Sequence, residues 1–346
     1  MITSENRVSP LVCICVPTCN AASTVRETLL SILGQSYEHL VVHVSDNAST
    51  DDTLKIVESV ADSRVILHRH DANVGAEGNF TRCLQLAGGK YTAIFHADDI
   101  YEPDMVAKQV AFLEQHPDVG AVFTEAVTID EQGVPFGAIG HAPNSRGKVV
   151  RYGFRELLQT LLLHYNFLVC PSAMARSELY RDEIREWGSS LFRSSSDIDT
   201  WLRLSRKLPI AVLGERLLRY RISRSQYSEK IRNRTERADF FLVLEHYLAR
   251  PEVRAFLTED DLRHYGWLDR HERVARALNL FGIARVSEAN DLLQGLFCWD
   301  SIDAALHSRR GLVTLAGGTL LRLLILLGAS QSSIAIVKSI KKISWR

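Results

Sequence analysis

Through the first third of the chain, short apolar runs alternate with stretches whose apolar residues recur at helical spacing, and the runs end in small polar motifs. Leu11–Val16, Leu40–Ser45, Val65–His68, Tyr91–Phe95 and Val119–Phe123 read as strands. Ser23–Leu33, Asp51–Val60, Gly75–Leu86 and Pro103–Gln115 read as the helices between them. That rhythm leaves little choice of fold class. Strand–helix alternation builds an α/β domain with a mostly parallel sheet and helices on both faces, because each crossover returns the chain to the same sheet. Ligands of such sheets bind beyond the carboxyl ends of the strands, which is where the polar motifs fall.

The rhythm then changes. From Glu131 to Lys148 the chain breaks into Gly, Pro, Asn and Ser, a loop long enough to serve as a lid or acceptor-side flap. Helical texture returns at Phe154–Leu163, Val169–Ala175 and Ser196–Leu208, followed by a strand pair at Ile210–Leu213 and Arg216–Ile222. After Ser228 the pattern is helical through Leu306, with Phe240, Phe241, Val243, Leu244 and Tyr247 on a buried face. The expected division is an α/β domain over residues 1–228, with halves 1–125 and 126–228. A helical extension over 229–308 and a basic, apolar tail over 309–346 complete it.

At 346 residues and 46% hydrophobic, the chain has material for one large core and an appendage. Formal net charge is zero, which gives no reason to expect nucleic acid as a partner. The six cysteines lack the paired spacing of a zinc site and read as buried free thiols. Leu11–Val16 is too short for a secretory signal and stops at Pro17, so a cytoplasmic location is expected. No run reaches the roughly 20 apolar residues of a membrane-spanning helix.

Each polar motif offers chemistry. Pro17 ends the first strand and fixes a turn, while Thr18 and Asn20 offer small polar contacts. Asp46 can accept the imide N–H of a pyrimidine, or cap the turn that leads to Asp51. Ser49 or Thr50 can cap the next helix, with Asp51 and Asp52 at its positive end. In Asn73-Val-Gly-Ala-Glu-Gly-Asn79, Gly75 allows close backbone approach at a helix start. Arg82 can reach a phosphate or face solvent. In Phe95-His-Ala-Asp-Asp99, alternation puts His96 and Asp98 on one side and turns Asp99 away to cap Tyr101–Pro103. Asp197 sits in the first turn of a helix, where it stabilises the dipole or acts as a base.

In order and spacing, Cys15-Val-Pro-Thr-Cys-Asn20, Val44-Ser-Asp-Asn-Ala-Ser-Thr-Asp51, Asn73–Asn79 and Phe95–Asp99 resemble the family 2 glycosyltransferases, whose nucleotide-sugar-binding fold is called GT-A. The resemblance covers approximately residues 9–225. It implies that Pro17, Thr18, Asn20, Asp46, Asn73, Gly75, Asn79 and Ala97 line the nucleotide, with Asp46 on the base. It also implies a divalent cation, Mn²⁺ or Mg²⁺, on the donor diphosphate. The family's Asp-x-Asp is here His96-Ala97-Asp98, making Asp98 the expected ligand with His96 beside it. Imidazole suits Mn²⁺ better than Mg²⁺.

Further along, Ser194-Ser-Ser-Asp-Ile-Asp-Thr-Trp-Leu-Arg-Leu204 resembles the family's acidic pair before an Asp-x-x-x-Arg helix. Asp197 keeps the carboxylate used as base, and Ser196 replaces the other acid. Tyr220-Arg221-Ile-Ser223 resembles a Tyr-Arg-x-His strand, with Ser223 in place of His. The implied activity is inverting transfer of a sugar from a UDP- or dTDP-type donor to a saccharide or lipid-linked hydroxyl, as in bacterial surface-polysaccharide synthesis. The alternative is a non-catalytic nucleotide-sugar or glycan-binding protein. A nucleotidyltransferase fits less well, since no glycine-rich basic loop follows the first strand.

The tail stands apart. After Asp303 the chain has no acidic residue but seven basic ones: Arg309, Arg310, Arg322, Lys338, Lys341, Lys342 and Arg346. Between Arg322 and Lys338 lie 15 uncharged residues, short of a span, with Gly317, Gly318 and Gly328 interrupting the pattern. The expectation is an interfacial segment, with Leu320–Leu327 among lipid chains and basic residues on phosphates at the inner face of the cell membrane. The alternative is a helical hairpin packed on protein.

Overall fold

The computed structural model describes residues 9–140, 147–188, 191–222 and 233–328. It divides into two compact units, one formed by residues 1–160 and 166–223 and the other by residues 161–165 and 224–346. In the first, β1 (Val12–Thr18), β2 (Leu40–Asp46), β3 (Val65–Arg69) and β4 (Tyr91–Ile94) are joined through α1 (Val25–Leu33), α2 (Thr53–Ser59) and α3 (Gly75–Gln85). β1 pairs in parallel with both β2 and β4, and β2 with β3. The strands are rich in β-branched residues, and Val12, Ile14, Val16, Val42 and Val44 are fully buried. The alternation written in the sequence therefore becomes a parallel sheet whose carboxyl ends form one edge.

The chain continues through β5 (Ile100–Tyr101), α4 (Met105–Gln115), β6 (Ala121–Ile129), β7 (Pro135–Ile139), β8 (Val150–Tyr152) and α5 (Phe154–His164). Then come β9 (Met174–Arg176), α6 (Ser196–Ser205) and β10 (Ile210–Arg221). The ten-stranded sheet runs β3-β2-β1-β4-β9-β6-β10-β5, with β7 on β6 and β8 on β10.

Three expectations change here. The loop from Glu131 turns back at once, because Asp130 Oδ1 accepts the N–H groups of Gln132 and Val134, closing a hairpin that pairs β7 with β6. Val169–Ala175 is not helical: a 3₁₀ turn at Cys170–Ser172 leads into β9, which lies antiparallel between β4 and β6. The expected strand pair is one strand, β10, with register irregularities between Leu213 and Leu218. The cap before α2 also differs. Asp51 Oδ1 accepts the N–H of Thr53 at 3.0 Å, while Ser49 and Thr50 bond elsewhere.

The second unit is helical: α7 (Asp239–Leu248), α8 (Pro251–Arg254), α9 (Glu259–Gly282), α10 (Val286–Leu292), α11 (Trp299–His307) and α12 (Arg309–Leu326). Thr258 and Asp261 form a capping box that starts α9. Phe240, Phe241, Val243, Leu244 and Tyr247 are buried, as their spacing predicts. A separate apolar core joins Val274, Leu278 and Phe281 of α9 to Leu293, Leu296 and Leu321.

Gly317 and Gly318 do not interrupt α12. A Cβ on Gly318 would meet Leu296 Cδ2 at 2.1 Å, and one on Gly311 would meet the Ala304 carbonyl oxygen at 2.1 Å. Small residues there let α12 pack closely on its neighbours. The helix ends before Gly328, which has φ +62°. No helix among the described residues is long and apolar enough to cross a membrane.

Candidate active site

The carboxyl edge of the parallel sheet gathers most of the residues singled out in the sequence. Asp46 ends β2 and is buried. Its Oδ2 accepts the Ser49 N–H at 2.9 Å, and its Oδ1 accepts the hydroxyls of Ser49 at 2.5 Å and Thr18 at 3.3 Å. A carboxylate offers about four acceptor positions, so capping the turn does not exhaust this one. Asn20 has φ +52°, a conformation Asn tolerates, and its Oδ1 accepts the Thr50 N–H at 2.8 Å. The turns after β1 and β2 are thus tied together, with Pro17 at the end of the first.

The residue after Asp46 was not foreseen as important, yet it organises this half. Asn47 Nδ2 donates to Asn73 Oδ1 and to the Gly75 carbonyl, both at 3.0 Å. Its Oδ1 accepts the Val74 N–H at 3.0 Å and Arg82 Nη1 at 3.1 Å. Arg82 therefore braces a buried amide, rather than facing solvent. Gly75, with φ +80°, supplies the left-handed turn into α3. Asn79 is buried too. Its amide donates to the carbonyls of Ser45 at 2.9 Å and Thr18 at 3.4 Å, and its Oδ1 accepts the Ser45 hydroxyl at 2.8 Å. Its polar atoms hold the ends of β1 and β2 together.

Beyond β4 lies the His96–Asp99 segment. Tyr101 stacks on Phe95 with ring centroids 3.9 Å apart, and its hydroxyl accepts the His96 N–H at 2.7 Å. The Ala97 carbonyl accepts from Thr24 Oγ1 at 2.9 Å, and the Asp99 carbonyl from Thr28 Oγ1 at 2.8 Å, fastening the segment to α1. One expectation is corrected. Asp99 does not turn away; ligand atoms of His96, Asp98 and Asp99 all lie within 4.8 Å of one another. Asp99 Oδ1 accepts the Arg221 N–H at 2.8 Å, and this contact draws it inward.

Two buried polar atoms in this cluster, His96 Nε2 and Asp99 Oδ2, have no hydrogen-bond partner. Burial lowers the His96 pKa and raises that of Asp99, the neighbouring Asp98 charge adding to the latter. A neutral imidazole and a carboxylate oxygen with unmet capacity suit a divalent cation.

Asp197 opens α6 and is half-buried. Burial pushes its pKa up to about 6, against hydrogen bonds from the Ile198 and Asp197 N–H groups and the Asn166 side chain that favour the charged form. Burial thus outweighs the helix dipole, which alone would lower the pKa of a first-turn carboxylate. The Cys170 thiol is pushed up by burial first, and then by the charges of Asp197 and Asp99. Asp199 is engaged otherwise, paired with Arg203 at 2.9 Å. Ser196 is buried, bonding the Arg193 carbonyl at 2.8 Å and packing against Gly188, where a Cβ would come within 2.3 Å.

Arg221 completes the site. Its side chain is 5% exposed. Its Nε donates to the Asp98 carbonyl at 2.8 Å, its Nη1 to the carbonyls of Asp130 at 3.2 Å and Glu131 at 3.1 Å, and its Nη2 to Glu27 at 2.6 Å. One guanidinium thus links the Asp98 backbone, α1 and the start of the β6–β7 hairpin. Ser223 lies outside the described residues.

Comparison with known proteins gives a consistent result. Residues 13–183 match the family described as Glycosyl transferase family 2. Putative glycosyltransferase EpsE of Bacillus subtilis is 28% identical over 264 residues, 71% of this chain and 89% of its own. The Escherichia coli UDP-Glc:alpha-D-GlcNAc-diphosphoundecaprenol beta-1,3-glucosyltransferase WfaP is 33% identical over 104 residues, 30% of this chain and 41% of its own. The structure of S. aureus TarS 1–349 in complex with UDP-GlcNAc aligns with TM-score 0.59 at 18% identity, covering 93% of this chain and 90% of that one. The fold is GT-A.

Proposed function

We propose that this chain, which belongs to the family 2 glycosyltransferases, is an inverting enzyme that moves a sugar from a nucleoside-diphosphate donor to a hydroxyl of a saccharide or lipid-linked acceptor in surface-polysaccharide synthesis. The observation that carries this reading is the gathering of His96, Asp98 and Asp99 at the carboxyl edge of the sheet. Turns carrying Pro17, Thr18, Asn20, Asp46, Asn73, Gly75 and Ala97 receive the nucleotide, Asp46 taking the N–H of a pyrimidine base. This favours a UDP- or dTDP-type donor. The names of the two sequence relatives support the activity, and that of the second supports a lipid-linked acceptor.

Asp98 and His96, with Asp99 close by, would hold a divalent cation, which would supply positive charge against that growing on the departing diphosphate. Asp197 takes the proton from the acceptor hydroxyl; its oxygen forms the new bond to the anomeric carbon as the carbon–oxygen bond to the diphosphate breaks on the opposite face. One displacement inverts that carbon. An elevated pKa suits Asp197 to the task, because a more basic carboxylate accepts a proton more readily near neutral pH. We place the activity in the cytoplasm, on the inner face of the cell membrane when the acceptor is lipid-linked.

A screen of UDP- and dTDP-sugars that measures released nucleoside diphosphate, with Mn²⁺, Mg²⁺ or chelator, tests the reading. Metal-stimulated release that disappears in Asp98→Ala supports it, and NMR of the product anomer tests inversion. Tight donor binding without turnover under all conditions would leave only a binding protein.

A further inference from the structure

The outer faces of α11 and α12 expose large apolar residues, beside the charged Asp300, Asp303, Arg309 and Arg310. On α11, Trp299 is 83% exposed and Leu306 78%, with Ile302 on the same face; Ser301 and Ala304 are buried on the opposite one. On α12 the exposed positions Arg309, Leu312, Ala316, Thr319, Leu323 and Leu326 recur at intervals of three and four, opposite the buried Gly311, Thr314, Gly318 and Leu321. Leu326 and the following Leu327 are 71% and 80% exposed. Only the first residue of that outer stripe is charged, along a helix of about 27 Å. The two helices are consecutive and closely packed, since Gly311 admits the Ala304 carbonyl. Their apolar faces therefore belong to one rigid hairpin.

We propose that this hairpin docks flat on an anionic lipid surface, with Trp299, Ile302, Leu306, Leu323 and Leu326 entering the headgroup–acyl boundary. Charge selects this occupant. α11 and α12 carry Arg309, Arg310 and Arg322 against Asp300 and Asp303, and the chain beyond them adds Lys338, Lys341, Lys342 and Arg346 with no acidic residue. A second copy would bring like charges together, whereas anionic headgroups neutralise them. Tryptophan at the rim suits that boundary, where an apolar ring meets wet headgroups. The hairpin lies on the membrane, because no described helix is long and apolar enough to span it. The sequence pattern pointed to Leu320–Leu327; the structure extends the apolar face across α12 and adds α11, where the most exposed residue lies.

This inference rests on the proposed membrane location, but its test needs neither donor nor acceptor. Purified full-length chain is sedimented with vesicles of phosphatidylcholine alone, or with phosphatidylglycerol added, at low and high salt. The expected result is pelleting with the anionic vesicles that weakens with salt, and a blue shift of tryptophan emission that Trp299→Phe diminishes. Leu306→Glu and Leu326→Glu should each lower the partition coefficient about tenfold or more, since each replaces an inserted leucine with a charge. Both positions are exposed, so circular dichroism and melting temperature should stay unchanged.

No pelleting with anionic vesicles, or equal pelleting of wild type and both variants, would overturn the proposal. So would lipid-free dimerisation, seen by light scattering and abolished by the same substitutions. Donor hydrolysis assayed in the same preparations keeps the two readings separable.

Discussion

The two sides of the candidate site differ in how their polar atoms are used. On the proposed nucleotide side, Asn47 and Asn79 have every amide group bonded within the protein, and Asp46 already receives three hydrogen bonds. On the proposed diphosphate side, His96 Nε2 and Asp99 Oδ2 are buried and unbonded. The first side is built before any ligand arrives. The second retains buried donor atoms whose desolvation an incoming cation would offset. Substitutions should therefore separate stability from chemistry according to the side they strike.

The largest effect is expected at Asp197, where Asn should reduce kcat by about 10²–10⁴-fold, the usual contribution of a positioned base. Activity should rise with pH along a limb centred near the Asp197 pKa of about 6, as the carboxylate loses its proton. Stability should move oppositely. The folded pKa lies above the ordinary 3.8, so the contribution is full below pH 3.8 and lost as pH rises through about 6. Asp197→Asn should consequently melt higher than wild type at pH 8, with little difference at pH 3.5.

Asp98→Ala should lower metal-stimulated turnover by about 10³-fold, with little loss in melting temperature. A large drop in stability there would erase the contrast between the two sides. Arg221→Lys keeps the charge and loses the fork. It should reduce turnover by about 10²-fold and raise the Mn²⁺ concentration needed for half-activation, because the Asp98 backbone loses its clamp. An unchanged metal requirement would make Arg221 purely structural. Asn47→Ala should act in reverse, costing about 1–3 kcal/mol in chemical denaturation with weaker donor affinity as a secondary result. The smallest change is expected for His96→Asp, a several-fold shift in the ratio of Mg²⁺- to Mn²⁺-supported turnover toward Mg²⁺.

Much of this architecture was legible beforehand for a physical reason: the parallel strands are buried on both faces and advertise themselves as apolar runs. Elements whose place depends on distant partners were not. β9 is three residues long, and its position between β4 and β6 is set by strands about 50 and 80 residues away in sequence. β10 looked like two strands because Gly214 and Glu215 interrupt its pattern at the register irregularity.

Motif order singles out Asp46, Asp98 and Asp197 in the sequence. Asn47 passes for an ordinary turn residue in the sequence, and its place directly after a strand-ending Asp is the one signal there. Asp99 was misdirected because simple alternation assumes that extended backbone continues past β4, which stops at Ile94. The role of Arg221 was invisible, since its four acceptors come from three distant stretches of chain.

The Arg221 clamp has a consequence for the order in which the protein can mature. The last residue of β10 reaches back to segments made 90 or more residues earlier, at Glu27, Asp98 and Asp130. A nascent polypeptide still short of that strand has its acidic pocket translated but unfastened. The growing chain should remain silent toward nucleotide sugars until the ribosome has released the strand that locks it.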